Sequence, residues 1–438
     1  MKIINKVMIF MAIGILSTSC DVEEFSDLNG PEVDALVEDL SRGDLQDLVG
    51  GVFYSMRVGL GTYYDDVGVI GREFYRFSNS DPRFTADLLG RENAILDNNT
   101  FYITIPWAAR YRSVKNINSV LEGLNNTTAD FSTEELSATR GFLNTVKAYE
   151  LLLNLNLTDE NGIRLDVNDP DNLGPIVSKV EALTGIQSLL TGAATDLVSG
   201  GSEFPFVMTS GFSEFNTPQK FLEVNNAISA RVAAYQGNLP AVLSFLEDSF
   251  IDLNGNFDTG VYYVFSENQN DLVNPVFFQQ NASAAGARIV QPNFISEAEA
   301  GDNRVDEKVS LRDETITFDG LSGDYDFFLY TTRTQEISII RNAELILLYA
   351  EANISVNPDE TVKALNIIRN SASLPNYSGG LTEQALTQEM LNQRRYELYG
   401  EGHRWIDARR YNILNTLLID RPGDDVFSKF PIPLTENE

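Results

Sequence analysis

Near the start of the chain the apolar residues Leu45, Leu48, Val49, Val52, Phe53 and Met56 fall at i, i+3, i+4, i+7, i+8 and i+11. That spacing is one stripe of an amphipathic helix. Gly50 and Gly51 weaken such a helix by about 1 kcal/mol each, so tertiary packing must support it. A second helix is announced by "STEE", where Ser132 and Glu135 have capping-box spacing. It is predicted to run to about Leu153 and to bury Phe142, Val146 and Tyr149.

Helical pairs recur downstream. "NNAISARVAAYQGNLPAVLSFLEDSF" reads as a helix, a break at Gly237-Asn238, and a second helix with Pro240 in its first turn, where a missing N–H is tolerated. "RNAELILLYAEANISVNPDETVKALNIIRNSA" repeats the plan, with Asn357 as the N-cap, Pro358 as the first helical residue and Glu360 as the third. Two short helices around a tight break form the unit of tetratricopeptide-like stacking, although no strict period of about 34 residues is present. Between these blocks, residues 57–105, 158–222 and 251–335 are rich in Gly, Asn, Asp and aromatics and are predicted to be long irregular regions. Short strands are expected at "VYYVF" (261–265) and "ETITF" (314–318). Loops this long on a helical scaffold usually carry function.

The first twenty residues follow a different pattern. Lys2 and Lys6 precede the apolar run Val7–Leu16, small polar residues follow, and then comes Cys20, the one cysteine of the 438-residue chain. The order is that of a secretory signal, and the apolar run is too short to span a bilayer. A cysteine directly after the small residues is where bacterial lipoproteins are cleaved and lipidated, although Ser17 stands where an aliphatic residue is usual. Residues 1–19 are therefore read as a lipoprotein signal peptide, residues 20–40 as an acidic lipidated tether, and residues 41–438 as one domain, with halves at about 41–250 and 251–438. Two acyl signals suffice for stable membrane anchoring.

Charge narrows the function further. The chain carries 32 basic against 63 acidic residues, a net of −31. That balance disfavours nucleic acid and anionic membrane surfaces, which need a positive footprint. One histidine, His403, excludes a multi-histidine metal centre, and one cysteine excludes a Cys-based one. "DLNGNFDTG" (252–260) spaces Asp and Asn at alternate positions, but glycine is at the fourth place and Tyr263 stands where an EF-hand needs its bidentate acid. A turn entering the strand at 261 is predicted instead, and no metal or cofactor is expected.

Two constellations remain. In "LNQRRYELYGEGHRWIDARRYN", Arg394–Glu397, Glu401–Arg404, Arg404–Asp407 and Asp407–Arg410 are i,i+3 pairs and His403–Asp407 is an i,i+4 pair. A catalytic reading takes Glu397, Glu401 and Asp407 as acid and base, assisted by His403. A structural ion-pair network is preferred, because arginines so spaced lower the carboxylate pKa values. The second constellation is aromatic. Tyr63, Tyr64, Tyr75, Tyr102, Tyr325 and Tyr330 lie in the presumed loops, interleaved with Asn79, Asp81 and Arg83. Tyrosine offers an apolar face to a sugar ring and a hydroxyl to its alcohols, so these nine residues are the candidate ligand contacts.

Several segments together resemble one family. "PWAARYRSVKNINSVLEGL", "TRGFLNTVKAYELL", "RNAELILLYAEAN" with "ALNIIRN", "RRYELYGEGHRWIDARR" and "FPIP" are similar, in that order, to motifs of the SusD/RagB lipoproteins of Bacteroidota. Gln393 stands where the family often has Glu, and residues 159–175 diverge from the usual Gly-Asp…Pro segment. The resemblance implies a right-handed tetratricopeptide-like superhelix decorated by irregular loops and a few short strands. It also implies a surface-exposed outer-membrane lipoprotein, anchored through Cys20, that captures a poly- or oligosaccharide without catalysis and passes it to a SusC-like TonB-dependent transporter. The alternatives are a lipid-anchored glycoside hydrolase and a binding component for a peptide or another non-sugar nutrient.

Overall fold

The computed structural model describes residues 39–169 and 171–437. The signal segment, Cys20 and all of the tether but its last two residues lie outside them. Among the described residues no helix is long and apolar enough to cross a membrane.

The predicted stripe forms α1 (Arg42–Ser55), opened by a capping box between Ser41 and Asp44 and burying Leu45, Val49, Val52 and Phe53. Next come α2 (Leu60–Ile70), α3 (Phe101–Asn126) and α4 (Thr133–Thr158). The expected Ser132–Glu135 capping box opens α4, which runs one turn beyond the predicted end because nearly every side chain from Ser137 onward is buried. α5 (Lys179–Val198) packs between α4 and α6 (Pro218–Tyr235). α7 (Leu239–Glu247) is capped by Asn238, as the Gly237-Asn238 break predicts. Two short helices, α8 (Pro292–Ser296) and α9 (Asn303–Lys308), precede the C-terminal block of α10 (Asn342–Asn353), α11 (Pro358–Ser371), α12 (Glu383–Glu397) and α13 (Arg404–Arg410). Asn357 accepts from the Glu360 N–H and caps α11 as predicted. The fold is mainly α, with tetratricopeptide-like stacking of successive helices from α3 to α7 and on through α10 to α12.

Two stretches expected to be irregular are not. Residues 57–105 contain α2, and 158–222 contain α5, which opens with a Ser178–Glu181 capping box. The strand expectations hold. β1 (Phe74–Arg76), β5 (Arg288–Val290), β7 (Leu321–Phe327) and β6 (Val309–Phe318) form an antiparallel sheet in that order, with Tyr75 opposite Ile289 and Ile289 opposite Asp326. β2 (Ile163–Arg164) pairs with β3 (Ile176–Val177). β4 (Gly260–Tyr263) pairs with β8 (Ile337–Arg341), and its register shifts between Val261 and Tyr262. In the turn before β4, the side chains of Asp252 and Asn256 accept the N–H groups of Asn254 and Asp258, so the alternating polar residues serve a turn.

One break positions the site. α12 ends at Glu397, and Gly400 and Gly402 adopt φ of 76° and 82° before α13 begins. A Cβ on Gly400 would lie 2.5 Å from the Phe327 ring, so both the left-handed backbone and the close approach require glycine there.

Candidate ligand-binding site

The structure separates the predicted tyrosines. Tyr63 and Tyr64 lie on α2, not in a loop, and are buried edge-to-face against each other with ring centroids 5.4 Å apart. Tyr63 accepts from Asn156 at 3.1 Å. Tyr75 is buried in β1 and donates to Asp420 at 2.6 Å. Tyr102, fully buried, donates to Asp87 at 3.2 Å and accepts the Asp97 N–H at 2.6 Å. None of these four offers a free ring face: on α2, β1 and α3 they are core, a correction to the surface role expected for them. Asn79 and Arg83 are exposed and Asp81 is half-buried, but Arg83 grips Asp81 through two bonds of 2.8 and 2.7 Å and lies over Phe101 at 4.8 Å. Asp81 also caps the short turn 82–84. Tyr325 is half-buried in β7 opposite Leu311. Of the nine candidates, Tyr330, itself 5% exposed, lines a large cavity from within the core.

That cavity, about 750 Å³, opens between the turn into β4, α9, the segment 329–341 and the end of α12. Its aromatic wall is Phe257, Tyr262 and Tyr330. The register shift after Val261 brings Tyr262 to the cavity while Tyr263 stays in the core, a common use of such irregularities. Arg341, both the last residue of β8 and the N-cap of α10, forms the floor. It binds Glu397 at 2.9 Å and Glu401 at 2.7 Å. Lys308 donates to the carbonyls of Tyr396 and Glu397. Burial works to raise the Glu397 pKa, but Lys308 and Arg341 outweigh it and hold the carboxyl below its usual range. At the rim, Asp258 is 77% exposed, and Glu336, partly desolvated, is pushed up. The floor is a closed set of buried ion pairs. The rim and aromatic wall are what a ligand meets, and they suit an uncharged, hydroxyl-rich molecule.

The charged motif forms a network, though with partners other than those expected. Asp407–Arg410 exists at 3.1 Å. Among the described residues Glu401–Arg404 does not form, because the helix breaks between them, and Arg394–Glu397 and Arg404–Asp407, each within one helix, do not form either, Glu397 and Asp407 being taken by other arginines. Arg394 instead crosses to Asp407 at 2.7 Å, and Glu397 and Glu401 turn to Arg341. His403 faces Glu344 at 3.7 Å and is held neutral, its pKa pushed down to about 4 by burial. Gln393 donates to Glu389 along its own helix. Arg341, Lys308 and Tyr262 escaped sequence reasoning. Arg341 does open the quoted "RNAELILLYAEAN", but its partners lie some sixty residues away.

Over residues 329–429, which include Tyr330, Arg341, Glu397 and Glu401, the sequence matches that of the SusD family. No curated protein sequence matches the chain. Among solved structures the chain is similar to a SusD superfamily protein from Bacteroides vulgatus ATCC 8482 at 18% identity, covering 91% of this chain and 97% of that one with a TM-score of 0.67. A SusD superfamily protein from Parabacteroides distasonis ATCC 8503 shares 17% identity over 90% and 97% of the two chains, with a TM-score of 0.68. A laminarin-binding SusD-like protein shares 16% over 90% and 97%, with a TM-score of 0.64. At such identities the likeness is one of fold.

Proposed function

We propose that this chain, which carries the SusD/RagB fold and the family's C-terminal segment, is a carbohydrate-binding protein that captures an oligosaccharide in the 750 Å³ cavity. The observation that carries the reading is the half-buried Tyr262 ring beside a polar rim above a charge-neutralised floor. The laminarin-binding relative supports the ligand class. Asn79, Asp81, Arg83 and Tyr325 remain candidates for contact with a longer glycan. The wider role we propose is that of a lipoprotein anchored in the outer membrane through Cys20, handing its glycan to a SusC-like TonB-dependent transporter. Cys20→Ser is then expected to release the protein from membranes, and retention would overturn the anchor.

Hydrolysis is not expected. Glycoside hydrolysis needs an acid of raised pKa and a second free carboxylate opposite it; Glu336 at the rim is pushed up, but the deeper carboxylates Glu397 and Glu401 are both bound by Arg341. Residues 21–438 should be retarded in native gels cast with one neutral polysaccharide, without release of reducing sugar. Sugar release would favour the hydrolase. Unretarded migration through every polysaccharide would sink the capture reading and favour a non-sugar nutrient.

A further inference from the structure

A second cavity, about 810 Å³, lies where the end of α4, the α6–α7 turn, α13 and the segment 428–429 meet. Four cations and three carboxylates line it. Every carboxylate already has a cation: Asp159 and Glu160 bind Lys179 at 2.7 and 3.4 Å, and Glu351 binds Arg410. Lys429 is left without a carboxylate, and Arg409 has only a distant one.

Lys429, half-buried, makes no side-chain hydrogen bond or ion pair among the described residues. Arg409 has a side chain only 5% exposed. Its terminal nitrogens bond the carbonyls of Ser428 at 3.1 Å and Asn156 at 2.6 Å, but its buried Nε has no hydrogen-bond partner, and the nearest carboxylate oxygen, on Asp159, is 3.9 Å away. A buried guanidinium with an unused donor is costly unless something completes it. The acid nearest it, Asp159, is already bound more closely by Lys179 at 2.7 Å.

We infer that this cavity is a second binding site, for a sugar that carries a carboxylate. Lys429 meets the anion, with the Arg409 guanidinium adding positive charge behind it, a charge-assisted arrangement stronger than neutral hydrogen bonding. Tyr235 and Tyr411, which flank Arg410 with their rings 5.1 and 5.5 Å from its guanidinium, supply apolar faces. The exposed amides of Gln236, Asn412 and Asn415 are available to hydroxyls. The sugar half of the inference rests on the glycan-capture reading; the anionic half stands on Lys429 and Arg409.

The test is calorimetric titration of residues 21–438 with trigalacturonate and with its methyl ester, an uncharged counterpart of the same rings. At about 0.15 M salt the screening length is about 8 Å, so the chain's overall negative field is damped while contacts inside the cavity persist. The acid is expected to bind at least tenfold more tightly than the ester. Lys429→Glu should abolish that preference, and Lys429→Gln should reduce it. Lys429 has no partner to lose, so thermal melts of both variants are expected to match the parent. Equal binding of acid and ester, no binding of either at millimolar concentration, or a preference indifferent to both Lys429 substitutions overturns the second site. If a neutral polysaccharide still binds in that event, the capture reading stands alone. If uronate binds through Lys429 and no neutral glycan binds, the first cavity's role falls and the second site stands.

Discussion

The two cavities are built from the same stretches of chain and end with opposite electrostatic balance. Both draw on α10: Arg341 at its N-cap floors one, and Glu351 near its end lines the other. Both draw on the charged C-terminal motif, whose Glu397 and Glu401 go to the first cavity and whose Arg409 and Arg410 go to the second. The first holds five carboxylates against three cations, the second three against four. The divider is the Gly400–Gly402 break, which sends the acidic half of the motif one way and the basic half the other. A motif that looks like a single ion-pair ladder is therefore two half-sites facing apart.

The severest way to break this comparison is to remove Arg341, the shared partner of Glu397 and Glu401. Arg341→Met leaves Glu401 buried without its cation and Glu397 with only Lys308 and a distant Arg304, and should cost about 3–5 kcal/mol in denaturant unfolding. A loss under about 1 kcal/mol would mean that the floor is not held by this ion pair.

The divider itself has a pH signature. Glu73 accepts the Gly400 N–H at 2.9 Å while its other carboxylate oxygen is buried without a partner. Burial pushes its pKa up from 4.5 to about 7. Because the folded value is the higher one, the native state holds an extra proton between those two pH values, and stability falls as pH rises through that window. Glu73→Gln, which cannot ionise, should match the parent below pH 4.5 and exceed it by about 3 kcal/mol above pH 7. A constant difference between the two proteins across pH would remove Glu73 from this role.

The mildest test sharpens the first cavity alone. Tyr262→Ala should weaken neutral-glycan binding by about tenfold, equivalent to about 1.4 kcal/mol. Tyr330→Phe, which keeps the ring and deletes the hydroxyl, should weaken it by about fivefold, with net hydrogen bonds worth about 1 kcal/mol. Both effects are read by calorimetry with the polysaccharide that retards the parent protein. Unchanged affinity in both variants would place the glycan elsewhere.

Local signals in the sequence were reliable where a few adjacent residues decide the outcome. Ser132 with Glu135, and Asn357-Pro358 with Glu360, cap helices where their spacing predicts. Ser178 with Glu181 carries the same signal and opens α5, yet the surrounding Gly, Asn and Asp residues mask it in a reading by composition. α2 was hidden for a different reason. From Tyr63 to Ile70 every residue is buried, Asp65 and Asp66 included, so no polar face marks its period. Tyr63 and Tyr64 then passed for loop residues. The cavities were the least legible. Tyr262, Arg341 and Glu401 meet only because β4 pairs with β8 and the helix stops at Glu397, facts of topology that no window of sequence contains.

The stacking of Arg409 on an indole has a practical consequence. The chain has two tryptophans. Trp107 is tied through its indole N–H to Glu436 at 2.8 Å, remote from both cavities' linings. Trp405 lies 4.0 Å beneath the Arg409 guanidinium. An anion that settles on that guanidinium alters the field across one indole and leaves the other in place. Emission from Trp405, isolated by Trp107→Phe, is thus a built-in optical gauge of occupancy in the basic cavity, and it needs neither a label nor a competing ligand.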